Sequence, residues 1–127
     1  MSNKSVGNRF ETIVALKLAD AGFWVHNMQQ SKAGQPADLI AVGRTNTYLI
    51  DVKHCEHNSW KKDRIEPNQH TVAKIWKTRT GKEMYFCLVY QMNYYMVSYP
   101  QLVELGSFKD LSQLPTLKEW LDGNSSK

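Results

Sequence analysis

The sequence has few cysteines and no long apolar run. Its two cysteines, Cys55 and Cys87, stand inside apolar, strand-like segments, which is typical of small buried thiols and not of a disulfide framework. No run of about 18 apolar residues is present to form a transmembrane helix, and the opening residues MSNKSVGNRF contain no apolar segment typical of a signal peptide. These absences predict a soluble protein that stays in a reducing, cytoplasmic compartment.

Internal repeats and low-complexity segments are also absent. A chain of 127 residues is short for two separate cores, because chains divide into domains at about 250 residues or more. Its hydrophobic share of 42% and charged share of 22% are ordinary for a globular protein. We expect one domain over residues 1–127, with a core at about 5–100, a short helical tail at 101–122 and a frayed end at 123–127.

Positive charge is concentrated in the middle of the chain. The segment from Lys53 to Lys82 contains eight Lys or Arg residues and three acidic ones, whereas the residues after Lys82 contain three basic and five acidic ones. This distribution predicts a phosphate-rich partner that contacts one basic face of the protein. A charge-rich, solvated helix would produce the same count, so the charge alone leaves both interpretations open.

Hydrophobic periodicity predicts alternating helices and strands. Helical spacing appears at residues 5–21, after Pro67 as far as Gly81, and at 114–123. Strand-like runs occupy 23–28, the two arms of a hairpin within 36–56, and the pair 83–92 and 94–100, which meet around Asn93; a polar loop is expected at 29–36. This order predicts an α/β fold with a mixed central β-sheet flanked by helices.

The hairpin PADLIAVGRTNTYLIDVKHCE carries a carboxylate in each strand. If its turn is centred between Arg44 and Thr45, then Asp38 lies directly opposite Asp51 on one face, with Cβ atoms about 4.5 to 5.5 Å apart. Lys53 points to the same face, because side chains alternate along a strand. The pattern therefore predicts two facing carboxylates with a lysine beside them.

Facing carboxylates destabilise a strand pair unless positive charge compensates them. Lys53 supplies part of that charge, and a divalent cation would supply the rest; carboxylate oxygens favour Mg²⁺ or Mn²⁺ over Zn²⁺. Glu11 lies at the edge of the apolar face of the first helix. Its side chain reaches the same pocket if that helix packs on the sheet.

Four short motifs, GNRFE, PAD, DVK and PNQ, occur in this order between Gly7 and Gln69. Together they resemble the PD-(D/E)XK nuclease superfamily and, within it, the Holliday junction resolvase-like members of the archaeal and RecU type. The resemblance implies a restriction-endonuclease-like core. Two departures are visible: Ala37 separates Pro36 from Asp38, and the acid before the lysine is Asp51 where Glu is commoner.

The resemblance also implies roles for individual residues. Asp38 and Asp51 would bind the metal with help from Glu11, Lys53 would orient the attacking water or stabilise charge on the scissile phosphate, and Gln69 would position water or DNA. We therefore predict a Mg²⁺-dependent DNA endonuclease, with Mn²⁺ as a substitute, that makes paired nicks in four-way junctions. Two cuts need two active sites, which implies a homodimer; a bacterial or phage origin is expected.

Sequence-independent contacts with the DNA backbone are expected from the basic middle segment. Its predicted DNA-binding residues are Lys61, Lys62, Arg64, Lys74, Lys77 and Arg79, with Trp60 as a possible base-stacking contact. Three alternatives stay open. The protein would be a general or repair nuclease of the same superfamily, a non-catalytic DNA-binding module, or a structural protein whose basic loop binds acidic partners.

Overall fold

The computed structural model describes residues 3–28 and 37–124, with side chains from residue 9 onward. The predicted polar loop at 29–36, which includes Pro36 of the PAD motif, lies outside the described residues, as do the last three residues of the predicted frayed end. In chain order the elements are α1 (Asn3–Asp20), β1 (Trp24–Asn27), β2 (Leu39–Val42), β3 (Thr47–Cys55), β4 (Ser59–Trp60), α2 (Pro67–Thr80), β5 (Tyr85–Tyr90), β6 (Asn93–Ser98), α3 (Tyr99–Leu105), β7 (Phe108–Lys109) and α4 (Leu117–Asn124).

Five of the strands form one mixed sheet in the order β1-β2-β3-β5-β6. The central pair β3–β5 is parallel, and the other neighbours are antiparallel. The crossover from β3 to β5 contains α2, as a parallel connection requires. This architecture confirms the predicted α/β class, a mixed sheet flanked by helices. Within the described residues, no helix is both long and apolar enough to cross a membrane.

The register of the β2–β3 hairpin matches the sequence prediction. Leu39 pairs with Ile50 and Val42 pairs with Thr47. Gly43 N donates to Asn46 O at 2.7 Å and closes the turn. The midpoint of the hairpin therefore falls between Arg44 and Thr45, where the glycine and asparagine that flank it had placed it.

Apolar side chains pack on both faces of the sheet, which makes two buried clusters. The first lies under α1 and α4 and includes Phe10, Val14, Leu18 and Trp120 together with Ile50 and Val52 of β3. The second lies under α2 and α3 and includes Leu49, Trp60, Ala73, Phe86 and Leu102. Because β3 alternates, its residues 50 and 52 face the first cluster while 49 and 55 face the second.

Helix α2 begins and ends where the sequence predicted. Glu66 and Gln69 form a reciprocal capping box at its start, with Pro67 in the first turn. Gly81 ends the helix in the left-handed conformation at φ 73°, which costs glycine nothing because it has no Cβ. The start of this helix is important because it determines where Gln69 lies.

Two local predictions are wrong, and one small sheet was missed. The predicted strand at 94–100 ends at Ser98, because Ser98 caps α3 by accepting a hydrogen bond from Gln101 N and Pro100 lies in the first turn of that helix. The β5–β6 turn is centred on Gln91 and Met92, not on Asn93, since Tyr90 pairs with Asn93. The two-stranded sheet β4–β7 was not predicted at all.

Candidate active site

The hairpin brings Asp38 and Asp51 together on the α2 side of the sheet. Asp38 stands one residue before β2, where the regular pairing ends: Asp38 N donates at 3.2 Å to the carbonyl of Ile50, which is the partner of Leu39. Its Oδ2 accepts a hydrogen bond from Val52 N at 2.8 Å. The two aspartate side chains also hydrogen-bond to each other, so their carboxyl groups are in contact although the regular pairing ends at Leu39.

Helix α1 adds a third carboxylate to this pair. The helix packs on β1 and β3, which is the condition that the sequence prediction set for Glu11. Glu11 is 7% exposed, and its side chain hydrogen-bonds to Asp38. Its second oxygen, Oε2, is buried with no hydrogen-bond partner in the described part of the chain. We call Glu11, Asp38 and Asp51 the carboxylate cluster.

Lys53 supplies positive charge to the cluster from the same face of β3. Its Nζ lies 3.2 Å from Asp51 Oδ2 and 3.9 Å from Glu66 Oε2. The lysine side chain is 13% exposed, whereas that of Glu66 is 60% exposed. The Lys53–Asp51 contact is therefore the partly buried one, and Glu66 lies at the solvent edge of the site.

Gln69 reaches the cluster from the first turn of α2. It is 1% exposed, its Oε1 accepts a hydrogen bond from Glu66 N at 3.1 Å, and its side chain hydrogen-bonds to Asp51. Because the amide oxygen is engaged by Glu66 N, the amide NH₂ is the group that donates to Asp51. The capping box thus orients Gln69 toward the carboxylate. Glu66 was not among the predicted site residues, although the spacing in EPNQ is typical of such a cap.

Burial and mutual repulsion raise the pKa values of the cluster. Burial, followed by the charge of Asp38, raises the pKa of Asp51 to about 7, although Lys53 partly opposes the shift. Burial also raises the pKa of Asp38 to about 6, against the lowering effect of the Val52 N–H. The pKa of Glu11 is raised by burial and by the charge of Asp51, against its hydrogen bond with Asp38. Each group therefore holds its proton more strongly than a solvated carboxylate does.

The chemistry of the cluster fits a divalent cation. Burial raises the pKa of Glu11, Asp38 and Asp51, and of the three only Asp51 forms an ion pair with Lys53 among the described residues, so the cluster lacks compensating positive charge. Across residues 9–28 and 37–124, no three His, Cys, Asp or Glu side chains are arranged as a ready-made metal cage. Hard oxygen donors, an unpartnered buried Glu11 oxygen and a deficit of positive charge are nevertheless the properties that suit Mg²⁺ or Mn²⁺.

The predicted DNA-binding residues do not form one continuous face. Lys61, Lys62, Lys74, Lys77 and Arg79 are all exposed, but along α2 the side chain of Arg79 points about 140° away from that of Lys74 at 100° per residue. Lys77 pairs with Glu83 at 2.8 Å. Lys61 and Lys62 lie in the segment before α2, and Ser107 Oγ accepts a hydrogen bond from Lys62 N at 2.9 Å.

The structure contradicts the predicted DNA contact of Trp60. This residue is 1% exposed and packs in the second cluster, because β4 pairs with β7 and encloses it. Arg64 lies over its ring at 5.4 Å and donates to Cys55 Sγ at 3.5 Å. Trp60 therefore presents no free ring face to a base, and Arg64 is engaged by the core.

The five-stranded mixed sheet and the helices on its two faces are those of a restriction-endonuclease-like fold. Among solved structures the chain is similar to the 1.6 Å structure of Archaeoglobus fulgidus Hjc, a Holliday junction resolvase from an archaeal hyperthermophile, with a TM-score of 0.66 and 17% identity over 91% of this chain and 98% of that chain. No family model and no curated protein matches the chain. The predicted resemblance to the resolvase fold is confirmed.

Proposed function

We propose that this protein is a metal-dependent DNA endonuclease that resolves four-way junctions by paired nicks. The observation that carries this proposal is the contact of three carboxyl groups, those of buried Glu11 and Asp51 and half-buried Asp38, with Lys53 located 3.2 Å from Asp51. A structural ion pair needs one acid and one base. Three acids around one lysine are instead typical of a site that binds a cation and a phosphate.

Asp38 and Asp51 would hold a Mg²⁺ ion, with Glu11 assisting and Mn²⁺ as a substitute. When bound, the cation supplies Lewis-acid chemistry, because it polarises the phosphoryl group and makes water more acidic. The hydrogen bond from Val52 N to Asp38 and that from Gln69 to Asp51 leave part of each carboxylate's acceptor capacity unused. These two bonds would fix the orientation of the ligands.

Lys53 would act on the phosphate. Its ammonium group carries three donors, of which Asp51 occupies one and Glu66, at 3.9 Å, is more distant. A remaining donor can contact a non-bridging oxygen of the scissile phosphate or orient the attacking water. In either position the lysine stabilises the negative charge that develops during in-line displacement.

The choice of a junction as substrate rests on the fold shared with a Holliday junction resolvase. Symmetric cleavage of two strands needs two sites, and this chain carries one carboxylate cluster in its described residues, so a two-fold symmetric homodimer is proposed. Exposed Lys61 and Lys62 would bind backbone phosphates and read DNA shape, not bases.

The experiment compares labelled four-way junction, duplex and single-stranded DNA, each with Mg²⁺ or with EDTA. The variants are Asp51→Asn and the matched control Asp122→Asn, which changes an exposed aspartate of α4. We expect symmetric nicks on the junction alone with Mg²⁺, retained in the control and lost in EDTA and in Asp51→Asn.

Other outcomes separate the alternatives. If all three DNAs are cut equally, the assignment of the active site holds, but the protein is a general or repair nuclease and not a junction resolvase. Tight binding of the junction without cutting in Mg²⁺ or Mn²⁺ would identify a non-catalytic DNA-binding module. A protein that binds none of these DNAs would contradict the proposal as a whole.

A further inference from the structure

On the α2 side of the sheet, paired residues of β1, β2 and β3 lie side by side and form rows that run across the strands. The registers place His26 beside Ile40 and Trp24 beside Val42. Met28 N donates to Asp38 O at 2.7 Å, which extends the β1–β2 pairing to Asp38. Asp51 lies on this face because it stands at alternate positions of β3 with Leu49 and Cys55, which belong to the second cluster. The carboxylates therefore occupy the first row of a surface that continues through His26 to Trp24.

An aromatic pair occupies the far end of this surface. The indole of Trp24 stacks on the His26 ring with centroids 6.0 Å apart and planes 11° from parallel. Trp24 is 63% exposed and its neighbour Val42 is 36% exposed. Large apolar side chains grouped on a surface mark contact sites, and the exposed Trp24 ring, with Val42 beside it, lies on the same face of the sheet as the carboxylates.

The spacing of the rows agrees with that of a nucleic-acid strand. Trp24 is two rows from Asp38, and each row advances by two residues, so the separation along the strands is about 13 Å. Consecutive nucleotides of one strand are about 3.4 Å apart along a duplex. A strand whose phosphate lies at the carboxylate cluster would pass Trp24 about four nucleotides away.

The charges around this surface also favour DNA over an apolar partner. Arg44 is exposed in the turn that begins one residue after Val42, the strand partner of Trp24, so a basic residue belongs to this end of the sheet. In the other direction along β3 the same face reaches Cys55, which is 3% exposed and enclosed with Trp60. Between the cluster and Trp24, Leu49 is buried and Ile40 packs on the second cluster, so the accessible part of this face follows the edge strand β1 through His26 to Trp24.

We propose that Trp24, supported by His26, binds DNA by stacking on a base about four nucleotides from the cleaved phosphate. This inference rests on the proposed function and extends it. A duplex keeps its bases stacked on each other, so the site takes a nucleotide that is unpaired or loosened, as at a branch or a single-stranded flank. Every base has a π-face, so the contact carries little sequence information.

The first test measures binding in EDTA, where no cleavage interferes. Fluorescence anisotropy would compare wild type, Trp24→Ala, Trp24→Phe and the control Met92→Ala, which removes another exposed apolar side chain (74% exposed) from the β5–β6 turn. The probes are a single strand and a four-way junction. We expect about 5- to 150-fold weaker binding by Trp24→Ala, most of it recovered in Trp24→Phe, and no change in the control.

A second test detects the contact directly in the unaltered protein. 5-Iodouracil is placed at successive positions of the oligonucleotide and irradiated in the complex, and the crosslinked peptide is identified by mass spectrometry. We expect a crosslink at Trp24 from a narrow window of positions. This readout does not depend on whether a variant folds.

The failures of the two proposals are distinguishable. If wild type binds DNA, Trp24→Ala binds equally well and no position crosslinks to Trp24, the inference is wrong while the nuclease proposal stands. If wild type binds no DNA, the proposed function fails and the inference fails with it. If Trp24→Ala converts a sedimenting dimer to a monomer and no crosslink forms, a second copy of the chain covers this face, and the inference is overturned.

Discussion

The carboxylate cluster and the basic segment at 61–79 differ in solvent exposure as well as in charge: the acidic groups are largely buried, whereas most of the basic ones are exposed. Glu11 and Asp51 are 7% and 5% exposed, and burial raises the pKa of both. Lys61, Lys62 and Lys74 are exposed to solvent. A buried charge needs a specific neighbour to neutralise it, whereas a solvated charge needs none. We therefore expect single changes in the cluster to have large effects and changes in the basic segment to have small, additive ones.

The largest effect is expected from Asp51→Asn. Removing a ligand for the cation should lower the rate of hydrolysis by about 10³-fold or more, because Lewis-acid catalysis contributes several kcal/mol to transition-state stabilisation. Single-turnover cleavage with saturating enzyme measures the rate independently of DNA affinity. A variant that keeps a tenth of the wild-type rate would contradict the assignment of Asp51 as a ligand.

Lys53→Met should lower the rate by about 10²-fold at saturating Mg²⁺, because one preorganised donor to the phosphate is lost. The methionine preserves the length of the side chain without its charge. Lys53→Arg is the matched control, since it retains the charge, and it should recover part of the rate. If Lys53→Met and Lys53→Arg lower the rate equally, the positive charge of Lys53 does not stabilise the phosphate, and the role assigned to this residue is wrong.

The cluster also predicts how stability depends on pH in the metal-free protein. The folded pKa values of about 6 for Asp38 and about 7 for Asp51 lie above the ordinary value of 3.8, so the folded state binds more protons than the unfolded state between these values. Stability from these groups is therefore greatest below about pH 4 and is lost as the pH rises to about 7, with a decrease of about 2 to 4 kcal/mol between pH 5 and pH 8.

Urea unfolding in EDTA at several pH values measures this decrease. Asp51→Asn should remove at least half of it, and Mg²⁺ should restore stability at pH 8, because the cation replaces the protons. A metal-free protein that is more stable at pH 8 than at pH 5, with Asp51→Asn behaving like wild type, would show that the cluster does not hold excess protons.

The smallest effect is expected for the double variant Lys61→Ala and Lys62→Ala. Each contact with a phosphate releases about one counterion, so the slope of log K against log[salt] should decrease in magnitude by about 2. Affinity at moderate salt should fall several-fold and equally for different sequences. Binding titrations over a range of salt concentrations test this, and an unchanged slope would exclude both lysines from the interface.

Local sequence patterns were sufficient to predict the positions of several residues of the site. Gly43 and Asn46 marked the turn, and the alternation of β3 then placed Lys53 on the face of Asp51. Pro67 marked the start of α2, and with it the position of Gln69. In contrast, the basic neighbours of Trp60 indicated a surface residue, but its pairing with Phe108 buries it. Phe108 is 48 residues away from Trp60 in the chain, and no local sequence pattern predicts that the two residues pair.

The sequence by itself determined which residues face each other across the hairpin, because the turn sets the register and the period of two sets the face. Only the tertiary structure decided that α1 brings Glu11 to Asp38, that Gln69 contacts Asp51 and that the cluster is buried enough to raise its pKa values. It also left Trp24 and His26 exposed on the same face. Desolvation depends on everything that packs around a group, and those neighbours come from distant parts of the chain.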